Sequence, residues 1–280
     1  MDYLQRARYF KTKKRLGQNF LISEEVLSDI VRFANLTKDD IVLEIGPGVG
    51  FLTEQLVKYA GKVIAVELDE QAIKELEKIA ADNLLILHKD ILKTDISEFV
   101  STKKIKIVAN IPYYITSPII AHLLGEIDDL NNKNRNSISE IILMVQEEVA
   151  RRIVATEKSQ SKQFGLLTIL AQFWSECSFL RVVGRKSFYP APKVTSALIK
   201  LKVRENPLLQ LLDYSFFRKT IKAAFGQRRK NIKNALANGG FDKENVITAL
   251  NELSIDENTR AESLSIEILG KLSDKLCKLK

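Results

Sequence analysis

The stretch "IVLEIGPGVGFLTEQLVKYAGKVIAVELD", from Ile41 to Asp69, constrains the fold more than any other part of the chain. "IVLEI" is apolar and β-branched, as a strand buried on both faces requires. "FLTEQLVKYA" carries apolar residues at helical spacing, Gly61 ends it, and "KVIAVE" reads as a second strand. Gly46, Gly48 and Gly50 stand between the first strand and the helix. A strand that turns through glycines into a helix and returns as a strand is a βαβ unit, the building block of a parallel sheet.

The alternation continues. "EQAIKELEKIAA" is helical, "LLILHKD" a third strand, "KIKIVAN" a fourth, "PIIAHLLGE" a short helix and "EIILMVQ" a fifth strand. This predicts a mostly parallel sheet with helices on both faces. Ahead of it, Ser23 is placed to cap a helix over "SEEVLSDIVRFANL", with Glu24 and Glu25 in the first turn. The polar tract "NNKNRNS", residues 131–137, reads as a surface loop. Beyond Gln146, "EEVARRIVA" and "FGLLTILAQFW" read as helices. "SFLRVV" and "VTSALIKLKV" read as a late strand pair, often antiparallel to an otherwise parallel sheet. From about Asn206 the strand signal vanishes, and "YSFFRKTIKAAFGQRRKNIKNALAN" reads as one helical stretch. The expected organisation is an α/β domain over 1–205 with a basic N-terminal arm, then a small helical domain over 206–280.

Composition narrows the function classes. The chain has 280 residues, a net charge of +8 and a sequence pI near 9.3, a balance that suits a polyanionic partner. Cys177 and Cys277 are far apart, which excludes a disulfide framework, and with only His88 and His122 no zinc or other metal site is expected. No apolar run approaches the ~20 residues of a membrane span, and no apolar signal core follows the basic N-terminus. A cytoplasmic protein is expected, and with no long apolar heptad, a monomer.

Glycines between a buried strand and a helix let the backbone approach a nucleotide closely. Glu67, closing "VIAVE", stands where an acidic residue binds ribose hydroxyls. The spelling of the motif is informative. Glu44 followed by G-P-G-V-G resembles the first motif of class I methyltransferases, a Rossmann-like fold with a seven-stranded sheet that binds S-adenosyl-L-methionine. That resemblance implies cofactor contacts at Gly46 and Gly48, and at Asp90, where such enzymes hold the adenine amino group. Asp90 also stands where it would cap the turn at "ILKTD".

"NIPYYITSP" leaves the fourth strand through an amide, a proline and two aromatics. It lies at the carboxyl end of that strand, where open α/β sheets bind ligands. "NIPY" resembles the N-P-P-Y motif of methyltransferases acting on exocyclic nitrogens of nucleobases. The adenine N6 lone pair is delocalised into the ring, so the amine is a poor nucleophile. Acceptors on both of its N–H bonds localise that lone pair. Asn110 Oδ1 and the Ile111 carbonyl are the expected acceptors, Pro112 fixes the turn between them, and Tyr113 offers a stacking face. The alternative is a plain proline turn with Tyr113 as core.

With these residues in hand, the chain resembles the ribosomal RNA adenine N6-dimethyltransferase family over nearly its whole length. "KKRLGQNFL", "EIGPGVGFLT", "VIAVELD", "KDIL", "NIPYYITSP", "MVQEEVARRI" and "FYPAPKVTSALIKL" follow in family order. The resemblance implies cofactor contacts from Asn19, the Leu21 backbone and Asn110, and a stacking role for Phe188, with Tyr189 as its rival. It further implies transfer from S-adenosyl-L-methionine, leaving S-adenosyl-L-homocysteine, and 16S rRNA within the small ribosomal subunit or its precursor as partner. "SKQFGLLTILAQF" and "AFGQRRKNIKNAL" resemble this housekeeping branch rather than the branch that modifies large-subunit RNA. A non-catalytic assembly factor on the same fold is the other reading. Tyr114 departs from the pattern, since many bacterial relatives carry asparagine there. Two basic runs are expected to track RNA phosphates: Lys13, Lys14 and Arg15 in the arm, and Arg228, Arg229 and Lys230 in the helical domain.

Overall fold

The computed structural model describes residues 2–13, 16–100, 103–160, 163–227 and 229–280. The strands are β1 (Phe20–Leu21), β2 (Ile41–Ile45), β3 (Lys62–Glu67), β4 (Leu84–His88), β5 (Ile105–Asn110), β6 (Ile138–Gln146), β7 (Ser175–Val183), β8 (Phe188–Tyr189) and β9 (Ser196–Val203). The helices are α1 (Tyr3–Tyr9), α2 (Glu24–Ala34), α3 (Thr53–Tyr59), α4 (Glu70–Leu76), α5 (Thr116–Leu124), α6 (Lys133–Ser137), α7 (Glu147–Ile153), α8 (Leu166–Trp174), α9 (Tyr214–Gly226), α10 (Ile232–Asn238), α11 (Lys243–Glu252) and α12 (Ile266–Lys278).

Seven strands form one sheet in the order β4-β3-β2-β5-β6-β9-β7. Pairing from β4 through β6 is parallel, and β9 runs antiparallel to β6. The strand order reverses between the neighbours β2 and β5, with β3 on the far side of β2. That places the carboxyl ends of β2, β3 and β5 around one crevice, the switch point at which such sheets bind ligands. The inner strands are apolar because both faces are covered; Val42, Leu43, Val63, Ile64, Ile107 and Val108 are fully buried. β4, at an edge, alternates towards solvent.

The chain divides into two compact units. The first takes in residues 1–125, 131–150 and 176–203 and holds most of the sheet. The second takes in 126–130, 151–175 and 204–280. It therefore draws in 126–130 and 151–175, which the sequence reading left with the first domain. Its core is aromatic: Phe173 meets Trp174 edge-on at 5.0 Å and lies 5.9 Å from Phe217. Among the described residues no helix is long and apolar enough to cross a membrane.

Local physics explains the elements. Ser23 caps α2, whose Val26, Leu27, Ile30 and Ala34 are buried, and Asn35 ends it at a φ of 43°. Gly61 ends the α3 segment at a point of close approach. A Cβ there would lie 2.0 Å from the Lys38 carbonyl oxygen.

Two sequence expectations change here. The tract 131–137 is not a loop. Asn132 caps α6 by accepting from Arg135 N at 2.8 Å, and Arg135 is buried, donating Nη1–H to the Leu124 carbonyl at 2.8 Å. Composition read as loop what a cap and a buried guanidinium made helix. The basic stretch after Tyr214 is also not one helix. It breaks after Gly226 and restarts at Ile232, capped by Asn231, whose Oδ1 accepts from Asn234 N at 2.9 Å.

Candidate active site

One cavity opens at the carboxyl ends of β2, β3 and β5. Its lining includes Asn19, Leu21, Gly46, Gly48, Glu67, Asp90, Asn110, Ile111, Pro112 and Tyr113. These residues come from five separate stretches of chain, and the sheet order brings them together.

The glycine turn comes first. Gly46, Gly48 and Gly50 have φ of 64°, 58° and 86°. Gly48 has a second requirement, because a Cβ there would meet Phe20 Cε1 at 2.7 Å. The turn is also held by Glu67. Its Oε2 accepts from Gly48 N at 2.9 Å, and its Oε1 accepts from Leu68 N at 2.7 Å and Asp69 N at 2.8 Å. Burial pushes the Glu67 carboxyl up, and these three backbone N–H groups hold it partly back. A carboxylate has about four acceptor positions, so Oε2 of this cavity-lining residue retains one among the described residues.

Of the two roles the sequence suggested for Asp90, the structure shows the cap: Oδ1 accepts from Leu92 N at 3.0 Å, and Oδ2 takes no partner among the described residues.

On the other wall, Asn110 Nδ2–H donates to the Asn19 carbonyl at 3.0 Å, and Asn19 Nδ2–H donates to the Gly17 carbonyl at 2.9 Å. The Asn110 amide is thereby oriented, with Oδ1 left without a partner among the described residues. Pro112, at φ −60°, starts a single tight turn over Tyr113–Ile115 and accepts Ile115 N–H at 3.2 Å. Tyr113 is half-buried. Its hydroxyl meets Ser196 Oγ at 2.5 Å, and burial raises the phenol above its ordinary value. Tyr114 is 61% exposed.

A family model described as ribosomal RNA adenine dimethylase matches residues 9–277. The chain belongs to that family. It is an rRNA adenine dimethyltransferase, and its fold is that of the class I S-adenosylmethionine-dependent methyltransferases. The "Ribosomal RNA small subunit methyltransferase A" of Clostridium botulinum is 42% identical over 268 residues, covering 95% of this chain and 94% of its own. The protein of the same name from Bacillus licheniformis is 42% identical over 278 residues, covering 95% and 92%. Among solved structures, a dimethyladenosine transferase from Plasmodium falciparum superposes with a TM-score of 0.72 at 28% identity, covering 89% of this chain and 94% of its own. The 23S rRNA methyltransferase ErmE superposes at 0.69 and 27%, covering 92% and 100%.

Not every residue expected at this dimethyltransferase's site is there. Phe188 is 3% exposed, sits in the hydrophobic cluster with Phe20 and Leu21, and is not part of the cavity wall. Its strand explains this: β8 pairs with β1, Phe188 opposite Leu21 and Tyr189 opposite Phe20, and the Phe188 ring fills the core. Lys13 is engaged elsewhere. Its Nζ meets Asp69 Oδ1 at 2.6 Å, and Gln18 Nε2–H donates to Asp69 Oδ2 at 2.8 Å. Lys14, Arg15 and Arg228 lie outside the described residues. Arg229 and Lys230 are exposed in the break between α9 and α10, with Lys222 exposed on α9. Arg218 pairs with Glu126 at 2.9 Å and Asp128 at 3.3 Å, and Lys233 with Glu257 at 2.8 Å.

The interactions of three residues escaped sequence reasoning. Glu44 is buried beneath the cavity, and its Oε2 accepts from Thr53 Oγ1 at 2.6 Å. Asp69 gathers Lys13, Gln18 and the Gln71 N–H. Ser196 holds the Tyr113 hydroxyl. Glu44 and Asp69 stand at the ends of motifs already noted, so their place in those motifs was an available signal. Ser196 lies 83 residues from Tyr113 and had none.

Proposed function

We propose that this enzyme places two methyl groups on N6 of each of two adjacent adenosines near the 3′ end of small-subunit (16S) rRNA, acting on the small subunit or its precursor. The observation that carries the chemistry is Asn110, whose amide is held by Asn19 so that Oδ1 is the open acceptor at the cavity. The curated relatives at 42% identity, named for the small subunit, support the choice of RNA.

The cavity residues fit S-adenosylmethionine. The spare acceptor position on Glu67 Oε2 suits a ribose hydroxyl, and Asp90 Oδ2 suits an exocyclic amine. Gly48 leaves backbone without a side chain at the turn, and Asn19 and Leu21 complete the wall. When bound, the cofactor supplies an electrophilic methyl on a sulfonium, and no metal is proposed.

The remaining steps belong to the chain's own residues. Asn110 Oδ1 accepts one N6–H and the Ile111 carbonyl the other, which localises the lone pair on nitrogen. Pro112 holds these two acceptors in register. Tyr113 stacks on the base, worth ~1–3 kcal/mol, against the few kcal/mol of extruding it. As the nitrogen gains a substituent its proton becomes acidic and leaves to solvent, so no strong base is needed. The rate comes from holding the amine in line. RNA phosphates run over Lys222, Arg229 and Lys230, which position the RNA without reading its sequence.

The test is methyl transfer from radiolabelled S-adenosylmethionine to undermethylated small-subunit particles beside naked large-subunit RNA, with Asn110→Ala as control. Dimethyladenosine in the particles alone, lost with Asn110→Ala, is the expected result. Label in large-subunit RNA would move the enzyme to the reaction of its structural neighbour ErmE. Binding without label in either would leave an assembly factor.

A further inference from the structure

Tyr113 is held at two points. Its carbonyl accepts from Thr116 Oγ1 at 3.1 Å, and its phenol meets Ser196 Oγ at 2.5 Å. A tyrosine ring anchored through its hydroxyl still spins about its long axis, but it does not swing away. The anchor itself is rigid. Ser196 is fully buried and opens β9, opposite Gln146 of β6. The preceding residue, Thr195, accepts Glu147 N–H at 3.0 Å. Ladder bonds of the antiparallel strand therefore set where the serine hydroxyl sits. Tyr113 is the one side-chain partner of that hydroxyl among the described residues.

We propose that Ser196 is a positioning residue for the target base: it fixes the axis of the Tyr113 ring, and through it governs the second methylation of each adenosine more than the first. The inference rests on the reading above that Tyr113 stacks on the adenine.

The chemistry of the second transfer explains the asymmetry. An unmodified N6 carries two N–H bonds, and both the Asn110 Oδ1 and the Ile111 carbonyl find a donor. After one methylation a single N–H remains. The base must turn or slide until that N–H and the lone pair are presented again. A ring whose axis is fixed lets the base move in its own plane at constant stacking distance. A ring free to swing allows the bulkier, singly bonded amine to leave its in-line geometry. The phenol takes no part as a base, because burial holds it protonated.

The test compares Ser196→Ala, Tyr113→Phe and the double variant on undermethylated small-subunit particles. Rate, KM for S-adenosylmethionine and the ratio of monomethyl- to dimethyladenosine are measured, the last by mass spectrometry. Both single variants and the double are expected to lose the same factor, about tenfold for one hydrogen bond, with monomethyladenosine accumulating and the cofactor KM unchanged. Losses that multiply in the double variant, or an unchanged product ratio, would overturn the inference. If Ser196→Ala fails to fold, Tyr113→Phe removes the same bond from the other side and carries the test. Tyr113→Ala separates the two claims. Full activity in that variant sinks the stacking reading itself. Lost activity there, with wild-type behaviour of Ser196→Ala and Tyr113→Phe, sinks only the role of Ser196.

Discussion

The side-chain N–H of Asn110 donates to the backbone carbonyl of Asn19 across 3.0 Å, joining the end of β5 to the segment that leads into β1. One bond thus ties the residue proposed to meet the amine to a stretch that walls the cavity. Asn110→Asp keeps an acceptor but loses the donor, and sets a carboxylate against the Asn19 carbonyl. Methyl transfer is expected to fall by about two orders of magnitude, and cofactor affinity by calorimetry is expected to weaken with it. Wild-type affinity in Asn110→Asp would show that the bond does not join the two sites.

Lys13 anchors the same segment from the other side. Burial alone would raise the Asp69 carboxyl, but hydrogen bonds from Lys13, Gln18 and the Gln71 N–H carry it below the ordinary range. The folded value being depressed, this contribution is present above the unfolded value of 3.8 and is lost as pH falls. Lys13→Met leaves a buried carboxylate without its cation. Since Lys13 is itself partly exposed, about 1–2 kcal/mol of stability is expected to be lost. Chemical denaturation measures this, and no change in midpoint would refute it.

Glu44 predicts a pH dependence of the opposite sign. Burial pushes its carboxyl up to about 8; the Thr53 hydroxyl offsets part of this, and Glu67 adds to it. Between 4.5 and about 8 the folded chain holds a proton that the unfolded chain has lost. Stability therefore falls as pH rises through that window, by roughly 1.4 kcal/mol per pH unit. Glu44→Gln removes the slope. Its thermal midpoint is expected to exceed that of the natural protein increasingly from pH 5.5 to pH 8, and parallel curves would count against the assignment.

Gly48→Ala meets two obstacles, a φ of 58° and a Phe20 ring atom 2.7 Å from the new Cβ. A left-handed alanine costs about 1–2 kcal/mol, and overpacking a similar amount. The variant is expected to melt lower and to lose cofactor affinity. Unaltered binding would remove the glycine turn from the cofactor site.

Lys222, Arg229 and Lys230 are exposed, and none is in an ion pair among the described residues. Replacing all three by alanine is expected to flatten the dependence of log K on log salt for RNA binding by about two to three, with cofactor binding intact. The Arg218→Ala and Lys233→Ala variants should change it less, since both side chains are already neutralised by acidic partners. An unchanged slope in the triple variant would put the phosphates elsewhere.

The parts of this molecule that could be read from the sequence share a property: their signal is local. Alternation of apolar runs gave β2 to β6 and their helices, since a buried strand and an amphipathic helix each carry their own period. The glycine turn, Glu67 at a strand end and "NIPY" after β5 were legible for the same reason. The helix at 133–137 was not, because a cap at Asn132 and a buried Arg135 outweigh a loop-like composition. Nor were the end of α9 at Gly226 and the fresh start of α10 at Ile232, since the basic residues in this part of the sequence have good helix propensity.

By itself the sequence determined the kind of sheet, the cofactor turn and the type of amine chemistry, because these depend on residue type and short spacing. Tertiary structure alone decided which polar groups keep an unused acceptor. Among the described residues Glu67 keeps one acceptor position, Asp90 keeps Oδ2, and Asn110 keeps Oδ1, each because its other bonds are taken by particular neighbours. It also turned Phe188 into core and Lys13 into an anchor. The physical reason is that a hydrogen-bonding group is free or engaged only relative to what the fold brings within about 3 Å of it, and in this chain those partners arrive from as far as 91 residues away.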